Sequence, residues 1–123
     1  MTRVLIEDLI YHYGDSFDDL IVVWQDASGV PISLSGYTAT MRIRTAPATT
    51  GTFLLELTSA VSGGLTIDAP NGKITFAATP TKMKSGSLVQ SQSYFYDLQV
   101  SNGSETKTLL KGKFWVDPEV TDV

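Results

Sequence analysis

Residues 25–44 read QDASGVPISLSGYTATMRIR, and the second half of that stretch decides the fold. From Thr38 to Arg44 apolar and polar side chains alternate: Ala39, Met41 and Ile43 point one way, Thr40, Arg42 and Arg44 the other. A period of two belongs to a strand with one buried and one wet face, because successive Cβ atoms leave the pleat on opposite sides. The first half is punctuation. Asp26-Ala27-Ser28-Gly29 is a turn, Val30-Pro31-Ile32 a stiffened step, and Ser35-Gly36 a second turn.

The same rhythm recurs along the chain. Ile74 and Phe76 face inward between Lys73 and Ala78, and Tyr94, Tyr96, Leu98 and Val100 share one face. Between Thr106 and Val116 the inward set is Leu110, Phe114 and Val116, which leaves Lys107, Leu109, Lys111, Lys113 and Trp115 opposite. Asn71-Gly72 and Asn102-Gly103 read as tight hairpin turns, since both residue types accept positive φ. Gly14-Asp15 precedes the apolar run Phe17–Trp24, and Ser62-Gly63-Gly64 precedes a short strand at Leu65-Thr66-Ile67. Residues 46–52 read as a loop, and Thr79–Lys84 as a helical turn with Thr79 as cap and Pro80 in the first position. About eight strands at short, regular intervals give an all-β fold, a single antiparallel β-sandwich of immunoglobulin-like type. Its core includes Trp24, Met41, Ile43, Phe76, Tyr96, Leu98 and Phe114.

A chain of 123 residues makes one domain, here residues 1–123. Residues 1–9 carry two readings. Val4, Leu5, Ile6 and Leu9 are too apolar for a free tail, so the segment is either an N-terminal assembly arm for a neighbour's sheet edge or the first strand of its own sandwich. The net charge of −4 and pI near 4.7 argue against general nucleic-acid binding, which needs a basic face. No stretch approaches the roughly 20 apolar residues of a membrane-spanning helix, and the acids inside MTRVLIEDLIYHY exclude a secretory signal. The absence of cysteine removes disulfides and thiol chemistry together.

Catalytic chemistry finds little purchase. His12 is the one histidine, flanked by Tyr11 and Tyr13, and no serine sits in a nucleophile-elbow context. Asp15, Asp18, Asp19 and Asp26 cluster in sequence without the alternating ligand spacing of a calcium loop. Asp15 and Asp26 read as turn residues, Asp18 and Asp19 as charged guards of the apolar run behind them. The expectation is no catalytic residue, no cofactor and no metal. The aromatics say more. Tyr94-Phe95-Tyr96 must turn at least Phe95 away from its neighbours' side of the sheet. Trp115, Phe95 and Leu109, together with Val4, Ile6 and Leu9, are therefore the candidate partner-interface residues, set against the plainer reading of exposed apolars covered by loops.

Several stretches in order carry a resemblance: Gly14-Asp15-Ser16-Phe17, Trp24-Gln25-Asp26, GVPISLSGY at 29–37, Met41-Arg42-Ile43-Arg44, Tyr96-Asp97-Leu98, Leu110-Lys111-Gly112 and VDPEVT at 116–121. The order resembles small β-sandwich virion structural proteins of tailed bacteriophages and prophages, and is similar to the N-terminal attachment modules of baseplate and tail-fibre proteins. The resemblance implies a non-enzymatic virion subunit, a tail, baseplate or head–tail adaptor that bridges neighbouring virion proteins and copies of itself. A capsid decoration (cement) protein is the alternative, and a carbohydrate-binding adhesion module a third. The implied location is the virion, assembled in the bacterial host cytoplasm, with no nucleic-acid, membrane or small-molecule partner. A chain ending at Val123 reads as a stand-alone subunit.

Overall fold

The computed structural model describes residues 5, 6, 8–18, 20–46 and 53–118. Val4, Asp19, most of the stretch 46–52 expected as a loop, and the residues after Pro118 lie outside them. The strands are β1 (Leu5–Ile6), β2 (Leu9–His12), β3 (Ile21–Val23), β4 (Thr38–Arg44), β5 (Leu55–Thr58), β6 (Leu65–Asp68), β7 (Lys73–Phe76), β8 (Gln92–Ser101) and β9 (Thr106–Asp117). A one-turn helix, α1 (Pro80–Lys84), links β7 to β8.

Two sheets face each other, as the alternation requires. The larger has six strands, in the order β1-β9-β8-β4-β5 with β2 also on β9, and the smaller runs β3-β7-β6. The apolar sets of both close on one core, in which Met41, Ile43, Leu57, Ile74, Phe76, Leu98, Phe114 and Val116 are fully buried. All seven core residues expected from the sequence are buried, Trp24 and Tyr96 included. At its centre Phe17, Phe76, Tyr96, Tyr11 and Phe114 pack ring to ring, with centroids 5.4–6.3 Å apart, mostly edge to face as their quadrupoles favour. Burial of such rings dominates the driving force of a domain this size. Among the described residues no Asp, Glu, Lys, Arg, His, Asn, Gln, Ser or Thr is buried, and the polar atoms inside belong to tyrosines and Trp24.

Among the named strands pairing is antiparallel except at β9, which β1 and β2 join in parallel. Both keep one register: Leu5 lies opposite Leu110, Ile6 opposite Lys111, Leu9 opposite Phe114 and His12 opposite Asp117. They are one strand interrupted near Asp8. There the Lys113 N–H donates to the Asp8 carboxylate (3.0 Å), so a side chain stands in for a ladder carbonyl. The segment pairs with its own sandwich, and Leu9 and Tyr11 enter the core.

Local chemistry explains the connections. Thr79 caps α1, its hydroxyl accepting from the Lys82 N–H (3.2 Å), and buried Met83 pins the turn to the core. Helices this short do not stand without such packing. At 69–72 the expected tight hairpin is instead a 3-10 turn over Ala69–Asn71, which Pro70 favours by fixing φ, closed by Gly72 at φ 59°. A Cβ on Gly72 would come within 2.4 Å of the Ile32 carbonyl oxygen, so backbone crowding as well as the left-handed φ requires glycine. At 102–105 the Asn102 side chain accepts from the N–H groups of Ser104 and Glu105 (3.0 and 2.8 Å), which fixes the β8–β9 loop.

Candidate interaction surfaces

The outer face of the large sheet is built by the residues the core rejects. Register places them in rows that cross the strands. Arg42 lies beside Asp97 and Glu56, and Asp97 in turn beside Lys111. The next row holds Arg44, Phe95 and Lys113, and the one after it Ser93, Trp115 and Ile10. Ile10 is 61% exposed and Trp115 36%, so an aliphatic and an indole side chain stand next to each other in water. At the strand end His12 Nδ1 lies 3.1 Å from Asp117, and the Trp115 indole N–H approaches the other oxygen of that carboxylate at 3.4 Å.

Cations dominate the middle of this face. Arg42 makes a 2.7 Å ion pair with Glu56, a surface contact contributing at most about 1 kcal/mol. Phe53 lies under both guanidinium groups, 4.7 Å from Arg42 and 5.7 Å from Arg44. Asp97 is half-buried among them. Burial pushes its carboxyl above the usual range, against the opposing pull of Arg44, Arg42 and Lys111.

The outer face of the small sheet differs in kind. Strand β3 runs along β7, and the pairing extends past both ends: Phe17 exchanges backbone hydrogen bonds with Ala78 (2.8 and 3.1 Å), and the Trp24 N–H donates to the Gly72 carbonyl (2.8 Å). Val22 and Trp24 point inward, while Ile21 (55% exposed) and Val23 (38%) point out. Exposed Asp18 and Asp26 lie at the two ends of this edge. Asp26 accepts from the Ser28 and Val30 N–H groups (2.9 and 3.0 Å), the turn role the sequence assigned to it. Asp15 takes part in its turn through its backbone, its carbonyl accepting from the Tyr11 hydroxyl (2.7 Å). Lys73 and Asp68 continue the row across from Val23.

Of the residues the sequence proposed for partner contact, Trp115 is on the open face and Phe95 half-buried within it. Leu9 and Leu109 belong to the protein's own core, at 9% and 4% exposure. Ile6 pairs through its backbone with Lys111, and Val4 lies outside the described residues. The correction at Leu109 has a plain cause. The β8–β9 register shifts between Leu98 and Gln99, so that Leu98 lies opposite Leu110 but Gln99 opposite Thr108. Leu109 is the extra residue of this bulge and turns inward beside Leu110. Past the bulge the alternation is inverted. Lys107 lies opposite inward Val100, off the face of Lys111 and Lys113, and Thr108 receives a hydrogen bond from the Gln99 amide (3.2 Å).

An open groove of about 550 Å³ lies between the start of β4 and β6, lined by Tyr37, Thr38, Ser59, Val61, Ser62 and Thr66 among others. Its titratable side chain is Tyr37, whose hydroxyl donates to Glu105 (3.0 Å); that bond holds the phenol above its ordinary pKa. Among the described residues, no three His, Cys, Asp or Glu side chains gather as a metal cage, and no helix is long and apolar enough to cross a membrane. Compared with known proteins, the chain matches no family model and no curated protein sequence.

Proposed function

We propose that this chain is a non-enzymatic structural protein of a tailed-phage virion, an adaptor of the tail, baseplate or head–tail region that bridges neighbouring virion proteins. The observation that supports bridging is the pair of dissimilar outer faces. One side of the sandwich offers Trp115, Ile10 and Phe95 among arginines and lysines, the other Ile21 and Val23 between acids. Trp, aromatic and Arg side chains are those enriched where proteins meet. A sandwich packed on one core holds two such faces back to back at a fixed distance, which is what a bridge between neighbours requires. The virion context rests on the likeness of residues 14–121 to small phage sandwich proteins.

The test is electron microscopy of intact particles, with the gene intact and deleted. Density for the chain is expected in the tail, baseplate or neck, joined to two different neighbours, with assembly blocked at that point in the deletion. Density on the outer capsid surface would make it a decoration protein. Fully infective particles that lack the chain would overturn the reading.

A further inference from the structure

We infer that the outer face of the six-stranded sheet docks the β3 edge of a second copy of this chain, so that copies associate head to tail. The inference deepens the adaptor reading by naming one partner.

Charge is sorted along the chain and then in space. Between residues 4 and 41 the sequence has acids at Glu7, Asp8, Asp15, Asp18, Asp19 and Asp26 and no lysine or arginine. The β3 edge comes from this segment, and its described ends are Asp18 and Asp26. The middle of the large sheet's outer face draws instead on Arg42, Arg44, Lys111 and Lys113, against the carboxylates Glu56 and Asp97, with Asp117 at the strand end beside Trp115 and His12. At its margin the Asp8 carboxylate is taken up by the Lys113 N–H. A cationic patch on a chain of net charge −4 fits an acidic protein surface, and the β3 edge of another copy, with Asp18 and Asp26 at its ends and Lys73 across from Val23, offers one.

Apolar groups match as the charges do. Ile10 and Trp115 are exposed on the first surface, Ile21 and Val23 on the second. Among the described residues β3 pairs on one side only, with β7, so its other side also offers main-chain groups. The two surfaces lie on opposite sides of the sandwich, so one pair of copies cannot make both contacts at once about a two-fold axis. The contact is heterologous, and it closes into a ring or runs on as a chain of copies. The three rows span about 19 Å across the strands and about 13 Å along them, from strand spacings of about 4.8 Å and about 3.3 Å per residue. That is about a third of the area per partner of a standard stable interface, so each contact is weak alone.

Sedimentation velocity on purified protein tests this with two variants. Lys111→Glu with Lys113→Glu reverses the sheet face, and Ile21→Asp with Val23→Ser spoils the edge. The wild type is expected to form oligomers at about 0.1 mM and low salt, with association at least tenfold weaker at about 0.5 M salt. Each variant alone should be a folded monomer. Mixed in equal amounts, the two should form dimers and nothing larger, because one supplies the intact edge and the other the intact face. If the edge variant melts early, Ile21→Thr replaces it. A wild type that stays monomeric, variants that associate like the wild type, or a mixture that stays monomeric would each overturn the inference. This assay reads self-association alone, so its failure is distinct from failure of the virion reading, which the particle map decides.

Discussion

Phe114 shows how much of this fold rests on single rings. It has no exposed surface and meets Tyr11, Phe17 and Tyr96 at 6.1, 5.7 and 6.3 Å. Phe114→Ala is expected to cost about 3–5 kcal/mol, since neighbours on both sheets cannot collapse fully into the space. Against a total of roughly 5–15 kcal/mol that is severe, and a urea midpoint equal to the wild type's would show the ring is not where the core needs it. Asp97 acts in the opposite sense. Burial raises its carboxyl pKa despite Arg44, Arg42 and Lys111 around it. A native pKa above the unfolded value means that the folded state holds the proton more tightly. The stability Asp97 contributes is therefore fully present below about pH 3.9 and is lost as pH rises through the native value. Asp97→Asn should flatten the stability profile across that window, leaving neutral-pH melting unchanged or higher. A fall in melting temperature at pH 7 would mean that the cations, not burial, govern the carboxylate.

At the scale of elements, what was legible in the sequence follows the range of the interaction responsible. Strand β4 declares itself because Ala39, Met41 and Ile43 alternate with Thr40, Arg42 and Arg44, a pattern set by which face is wet. Helix α1 declares itself because a threonine cap and a proline at the first position act within one turn. Strand β9 is legible only from Leu110 onward. The bulge at Leu109 inverts the rhythm below it, and its one trace in the sequence is the doublet Leu109-Leu110, which a simple alternation does not allow. The parallel pairing of β1 and β2 with β9 leaves no local mark, because it joins the two ends of the chain. The same holds for the candidate surfaces. Trp115 and Phe95 stand out singly, yet the row of Arg42, Asp97 and Lys111 exists only once three strands are in register.

For the whole molecule, that parallel pairing closes the sandwich by bringing its first residues back to its last strand. The two parts of the N-terminal strand contribute unequally. Leu9 and Tyr11 of β2 are buried, and Tyr11 stacks on Phe114 and meets Phe17 edge to face, so β2 belongs to the core both sheets share. The contribution of β1 seen here is two residues of ladder on Leu110 and Lys111. Deleting residues 2–7 should then leave a folded protein, because Asp8 still holds the Lys113 N–H and β2 still covers Phe114. The loss of a few main-chain hydrogen bonds, about 1 kcal/mol each, should lower the melting temperature by roughly 3–10 °C. Extending the deletion through Tyr11 should abolish cooperative unfolding, because it strips two core side chains and the edge of β9 together. Thermal melts of the two truncations decide between the readings of this segment. Unchanged melting of the shorter one would mean that β1 is not held by its own sheet and is free to serve as an arm for a neighbour.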